Sequence, residues 1–343
     1  MSGTSLDGID LAYVRFEKKQ SWKYCFLATE TIPYSAFWKN RFRNALFLSN
    51  GDLQKLNNEY SEFLGRKILN FIEENQPTKL DAVCSHGHTI KHEPNNGITL
   101  QIGNLPILAE IVNKTVVCDF RKQDVFLGGQ GAPLVPIGDK LLFPEYDFCM
   151  NLGGFANIST EKSGKRIAYD ICPVNTGLNF YAQKLGFEFD FNGNIAASGK
   201  VDENLLKNLN DLDFYKKNAP KSLGMEWVNK NIFPLLENSK LPFKNILATY
   251  TAHCAFQIAK VLGNDREKTA LFTGGGAYNK FLVKSIEQKT ETRLFIPEKN
   301  LVEYKEALIF GFLGVLKLRD EINVLSSVTG ASKDHSSGVV FRR

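Results

Sequence analysis

The chain opens on MSGTSLDGID, which places Gly3 and Gly8, the hydroxyls of Ser2, Thr4 and Ser5 and the carboxylates of Asp7 and Asp10 within ten residues, before turning apolar in LAYVRF. Glycine lets a backbone take positive φ and present successive N–H groups to an anion, while small hydroxyls add donors without bulk, so this set of residues suits a phosphate. Two more strand-like segments run into glycine turns: FCMNLGGFANIS, with Gly153, Gly154 and Asn157, and ALFTGGGAYNKFL, with Gly274, Gly275 and Gly276. The helical pattern YNKFLVKSI follows the last of these, so a helix N-terminus would add partial positive charge there. Each turn taken alone is also what an ordinary tight turn needs. None fits GxxxxGK[ST], and the third reads GGGAYN rather than GxGxxG, so a nucleotide here would have to be held by another plan.

Three further side chains have types suited to chemistry. The strand-like IAYD ending at Asp170 would deliver a carboxylate to a rigid strand end, where a general base is well held; the competing reading is a turn or cap Asp ahead of CPVN. Arg121 in DFRKQD carries a planar fork that matches a carboxylate, its rival role being a structural salt bridge. Glu306 in VEYKEALIF stands in a helical pattern, where a solvated pair with a nearby lysine is the commoner use of a lone Glu. Cys84, His86, His88 and His92 fall within nine residues, but Cys-x-His-x-His-x3-His is not a usual zinc spacing and no second ligand cluster completes it.

These groups need elements to position them. Strand-like runs at 9–16, 24–32, 80–85, 115–120 and 147–152 alternate with helical patterns at 52–74, 105–113, 245–262 and 303–320, an α/β rhythm. The 343 residues allow about two domains, and FLGGQGAPLVP (126–136) is the Gly and Pro cluster at which the chain is expected to change domain. A net charge of +5 with lysines spread along the chain gives no stripe for nucleic acid. No apolar run reaches the ~18 residues of a bilayer span and no signal peptide opens the chain, so a cytoplasmic protein is expected. The six cysteines are far apart and read as buried thiols in a reducing compartment.

MSGTSLDGID, SHGHTIKH with TLQIGN, DFRKQDVFLGGQGAPLVP, NLGGFANIS, AASGKV, PKSLGMEW, FTGGGAYN and VEYKEALIFGFL occur in the order found in the 1,6-anhydro-N-acetylmuramic acid kinases, which the chain resembles over nearly its whole length. The resemblance implies an α/β, two-domain actin-like ATPase (ribonuclease H-like) fold with ATP and sugar in the interdomain cleft. Residues 1–125 with 324–343 would form the N-terminal domain, and 126–323 the C-terminal domain. It implies a kinase of peptidoglycan recycling: water attacks the anomeric carbon of the anhydro sugar, and the released O6 takes the γ-phosphoryl group of ATP. Gly3, Thr4, Ser5, Leu6, Asp7, Gly8, Ile9 and Asp10 would form the first phosphate hairpin, Gly153, Gly154 and Asn157 the second, and Gly274, Gly275 and Gly276 the turn against the nucleoside. Asp170 would be the base, Glu306 would contact the sugar near the anhydro bridge, Arg121 would meet the lactyl carboxylate, and His86 and His88 would line the pocket.

Mg²⁺ would arrive with ATP and be held through water near Asp7 or Asp10 rather than by direct ligands. No nucleic-acid or membrane partner is implied, and a homodimer is compatible with the resemblance. One stretch departs from the family pattern: Asp-Thr-Gly-Pro-Gly-Asn becomes Asp170-Ile171-Cys172-Pro173-Val174-Asn175, and a branched Val174 is expected to restrict φ and narrow the pocket. That departure keeps open a kinase of another amino sugar, and the fold keeps open a non-catalytic ATP-dependent sugar sensor.

Overall fold

The computed structural model describes residues 1–3 and 6–343; Thr4 and Ser5, two of the expected phosphate ligands, lie outside the described residues. The chain separates into two compact units, Met1–Leu142 with Tyr304–Arg343, and Phe143–Glu303.

In the first unit, β1 (Gly8–Lys18) and β2 (Trp22–Pro33) form an antiparallel ribbon in which Asp10 stands directly opposite Thr31. Next come β3 (Val83–Ser85), the antiparallel pair β4 (His88–Glu93) and β5 (Ile98–Ile102), and β6 (Val116–Cys118), which runs parallel to β3. The helix Asn50–Asn75 is capped by Ser49, whose side chain accepts from the Asp52 N–H. It buries Leu56, Tyr60, Leu64, Ile68 and Phe71, a near-perfect repeat of one face per turn, against Trp38, Phe42 and Ile102.

The second unit is built on β7 (Phe148–Leu152), β8 (Phe155–Lys162), β9 (Lys165–Pro173), β10 (Thr269–Thr273) and β11 (Arg293–Phe295). Their order in the sheet is β11-β10-β7-β8-β9, with β8 antiparallel to both neighbours and the β11-β10-β7 pairs parallel. Numbered along the chain this is 3-2-1-4-5 with the second strand reversed, a ribonuclease H-like sheet. The helix Phe243–Leu262 buries thirteen side chains, among them Tyr250, Cys254 and Ile258, in the core beside this sheet. The last strand, β12 (Val339–Phe341), belongs to the first unit, antiparallel to β6.

Two segments assigned from sequence to the second domain, 126–142 and 304–323, belong to the first unit. Close contacts explain the correction. A Cβ on Gly314 would collide with Cys84 Sγ in β3, and one on Gly138 would lie 2.6 Å from an Ile309 methyl. Phe312 meets the rings of Phe16 at 5.4 Å and Trp22 at 5.0 Å. The helix Lys299–Leu318 therefore gives most of its length to the first unit's core, and the Gly/Pro cluster is a packed loop rather than a linker. Among the described residues no helix is long and apolar enough to cross a membrane.

Candidate active site

Asp170 sits near the end of β9, opposite Asn157 of β8. The register shifts just there, Asn157 pairing with Asp170 and Ala156 with Cys172, so Ile171 is an extra residue. Such a bulge re-aims the side chains beside it. The carboxylate is then fixed from outside the sheet: the Leu223 N–H donates to Oδ2 at 2.8 Å, and the Asp170 N–H donates to the Lys221 carbonyl at 3.0 Å. Oδ1 has no hydrogen-bond partner among the described residues. Burial holds this carboxyl above the ordinary aspartate value, and the Leu223 N–H works against that rise. PKSLGMEW thus has a physical task, holding Asp170, that the sequence by itself gave no means of assigning.

The two glycine turns of this unit are stitched to one another and to the loop after Asp170. The N–H groups of Val174 and Thr176 donate to the Gly154 carbonyl at 2.7 and 3.2 Å, and Asn175 Nδ2 donates to the Leu152 carbonyl at 3.2 Å. Gly274 has φ +81°, and a Cβ there would strike Asn151 Oδ1; one on Gly276 would lie 2.8 Å from Leu152 Cβ. Gly275 differs, because a Cβ there would meet nothing nearer than Asn175 Nδ2 at 4.0 Å. Its bare backbone faces open space that a side chain would fill, which fits the close approach of a nucleotide. Asn157, expected with the nucleotide, stands across from Asp170 in the ladder. Val174 has φ −118° and ψ −88° and is fully buried in the core.

In the first unit, an antiparallel bridge between Ser2 and Ile9 closes the opening turn, and the Asp10 N–H donates to the Met1 carbonyl at 2.8 Å. Inside it, Leu6 takes φ +61°, rare for a residue with a side chain and the kind of backbone state found in ligand-gripping turns. Asp10 Oδ1 accepts from Thr31 Oγ1 at 2.7 Å, and the Tyr304 hydroxyl lies 3.1 Å from the same threonine oxygen. Asp7 is exposed.

His88, expected to line the pocket, lies in the core. It is 2% exposed, stacked on Phe42 at 4.1 Å between centroids, and its Nδ1 lies 2.8 Å from Ser2 Oγ. Ser2 Oγ in turn touches the Tyr34 hydroxyl at 2.6 Å, and burial pushes the imidazole down to about 4. A neutral His88 therefore props the opening turn from within the core.

His86, Arg121 and Glu306 are brought together. Arg121 Nε donates to His86 Nε2 at 2.8 Å, so that nitrogen carries a lone pair and Nδ1–H faces the Gly87 carbonyl at 3.0 Å. Burial and the guanidinium charge hold His86 well below its usual value, in keeping with that neutral tautomer. Arg121 Nη1 donates to the Gly131 carbonyl at 2.6 Å, and the Phe310 ring lies under the guanidinium. With Nε committed, Nη2 and the second N–H of Nη1 are left for an end-on carboxylate contact. Glu306 is solvent-accessible, yet the protein around it raises its carboxyl, opposed by the charge of Arg121 and increased by that of Asp10. Sequence reading missed Asn104, in TLQIGN, and Asp119, in DFRKQD. Each keeps one buried side-chain oxygen with no hydrogen-bond partner, and Asp119 takes φ +58°. Among the described residues no group of three His, Cys, Asp or Glu side chains is set to ligate a metal.

A family model described as "Anhydro-N-acetylmuramic acid kinase" matches residues 1–343. An anhydro-N-acetylmuramic acid kinase of Pseudomonas savastanoi pv. phaseolicola is 34% identical over 99% of this chain and 97% of its own length. One from Acinetobacter baylyi is 29% identical over 97% of this chain and 95% of its own. Among solved structures, the activator of the 2-hydroxyisocaproyl-CoA dehydratase from Clostridium difficile overlaps 51% of this chain and 67% of its own at 16% identity and a TM-score of 0.33, too loosely to bear on the fold. With its motifs, its two units and a match along its full length, the chain belongs to the anhydro-N-acetylmuramic acid kinase family.

Proposed function

We propose that Asp170 is the general base of this ATP-dependent anhydro-N-acetylmuramic acid kinase, taking a proton from the water that attacks the anomeric carbon. The observation that carries the reading is the fixed carboxylate itself: one oxygen is tied to the Leu223 N–H and the other is free to accept a proton. A carboxyl raised by burial is a better base than a solvated one. The step balances: the C1–O6 bond breaks as water adds to C1, its proton passes to Asp170, and O6 takes the γ-phosphoryl group as ADP leaves.

Arg121 binds the lactyl carboxylate through its two free N–H directions, and neutral His86 fixes the plane of the guanidinium. Glu306, beside Arg121 and carrying a raised carboxyl, stands to hydrogen-bond the sugar near the bridge oxygen. The opening turn and the turns at Gly153, Gly154 and Gly274–Gly276 hold the phosphates and the nucleoside. Mg²⁺ fits as a hydrated ion near Asp10, whose Oδ1 is anchored by Thr31, and it would neutralise charge across the β- and γ-phosphates. The need for ATP places the reaction in the cytoplasm.

Phosphoryl transfer to 1,6-anhydro-N-acetylmuramic acid in heavy-oxygen water, followed by mass spectrometry, tests the scheme. The product gains one phosphate and one heavy oxygen at the anomeric hydroxyl. A phosphorylated sugar with its anhydro ring intact would refute the role given to water and to Asp170.

A further inference from the structure

Asp124 is fully buried in the first unit and does not reach the surface that Arg121 presents. Its carboxylate is nevertheless the centre of the loop that holds Arg121. The Gly131 N–H donates to Oδ2 at 2.6 Å, and Thr329 Oγ1 donates to Oδ1 at 2.7 Å. His335 Nε2 stands 3.6 Å from Oδ1. The loop returns so tightly over this carboxylate that a Cβ on Gly129 would overlap it. Gly131 links the two groups, since its N–H is held by Asp124 while its carbonyl accepts from Arg121 Nη1 at 2.6 Å. The C-terminal segment clamps the same loop from the other side: the Gln130 N–H donates to the Thr329 carbonyl at 2.8 Å, and the Ser332 N–H to the Leu127 carbonyl at 3.0 Å.

We infer that Asp124, braced by Thr329, is a positioning residue for substrate selectivity, fixing Gly131 so that its carbonyl sets the direction of the Arg121 guanidinium. The inference rests on the reading of Arg121 as the lactyl-carboxylate ligand. Two observations support it beyond loop anchoring. The contact runs to Arg121 through a single residue, Gly131, and the buried negative charge adds to that of Glu306 in favouring the charged form of the guanidinium. Arg121 is buried enough for its charge to be disfavoured, so a fixed anion nearby matters for a side chain that must bind another carboxylate.

The test uses the full-length protein and calorimetric Kd values for 1,6-anhydro-N-acetylmuramic acid, for 1,6-anhydro-N-acetylglucosamine, which lacks the lactyl group, and for ATP. Asp124→Asn keeps the shape and removes the charge. It should weaken the lactyl sugar about tenfold while the lactyl-free sugar and ATP stay within about twofold. Thr329→Val, a milder change if the first variant folds poorly, should act in the same direction by about threefold, and Thr329→Ser should restore the wild-type value. Equal weakening of both sugars, or of ATP as well, means that Asp124 only holds the fold and overturns the inference. Arg121→Lys separates the two layers. If it discriminates between the sugars and the Asp124 and Thr329 variants do not, only the positioning role falls; if it does not discriminate, the reading of Arg121 fails and the inference falls with it.

Discussion

Replacing Asp170 by Asn separates the base role from every structural one. The Leu223 N–H, now 2.8 Å from Oδ2, can bond the amide oxygen equally well, so the side chain keeps its anchor and turns its NH₂ toward the position that Oδ1 holds. That position then donates and cannot take a proton. General base catalysis is worth ~10² to 10⁴ in rate, so kcat should fall by that factor, about 2.7 to 5.4 kcal/mol in barrier. Stability should move the other way or not at all: the carboxyl is raised by burial, so its ionised form carries a desolvation cost that a neutral amide avoids. Sugar and ATP affinities should stay close to wild type. The pH profile supplies a further check, since wild-type kcat/KM should decline on the acid side with a midpoint above the ordinary aspartate value of 3.8, and the residual activity of the variant should lack that limb. Steady-state kinetics with a thermal melt decides the matter. A variant retaining more than a tenth of the wild-type kcat, or one whose melting temperature falls in step with its rate, would remove Asp170 from the base role.

Gly275→Ala should leave the melting temperature unchanged, because the added methyl meets nothing nearer than Asn175 Nδ2 at 4.0 Å, and should raise the ATP KM roughly tenfold, about 1.4 kcal/mol, if its backbone approaches the nucleotide; an unchanged KM would place the nucleotide elsewhere. His253 and His88 are buried neutral, with values of about 3 and about 4 against 6.5 in the unfolded chain. As pH falls below 6.5 the unfolded state gains these protons first, so each histidine should lower stability by about 1.4 kcal/mol per pH unit down to its folded value. Urea titrations between pH 7 and 5 measure the slope, and His253→Gln should flatten it; a slope that does not change would mean that His253 is accessible to protons in the folded state.

The elements of the fold were legible wherever side-chain period and burial coincide. The face from Leu56 to Phe71 repeats as a helix should, and the sequence expectation for 52–74 falls inside the observed helix Asn50–Asn75. The strands β4 and β8 left weaker signals, because HTIKHE and FANISTEK mix polar and apolar residues on short half-buried ribbons. The domain boundary was misplaced for a reason visible at Gly129 and Gly131. Glycine serves a linker, but it also serves a loop pressed against a carboxylate, and composition cannot separate the two. His88 shows the same limit: a histidine in a polar motif reads as a ligand, whereas its ring stacks in the core and its nitrogen supports Ser2. Asp170 is singled out by its motif. What holds it comes from 53 residues further along the chain, a separation that no local pattern encodes.

The departure at Ile171–Asn175 bears on whether this chain keeps the family's reaction, and the structure separates loop sequence from base geometry. Asp170 is aimed by the bulge in β8–β9 before it and by Leu223 across from it, not by the residues that follow. Cys172 and Val174 are both fully buried in the core of this unit. Restoring the family residue with Val174→Gly should therefore cost stability and leave chemistry alone. Removing a fully buried branched side chain and adding backbone freedom together cost about 2 to 4 kcal/mol, seen as an earlier urea midpoint at constant m-value. The kcat and the preference for the lactyl sugar should remain within about twofold of wild type at a temperature where the variant is folded, since this side chain is fully buried in the core. A change of tenfold or more in kcat, or a shift in sugar preference without loss of stability, would show instead that the loop after Asp170 shapes the pocket and that Val174 acts on it directly.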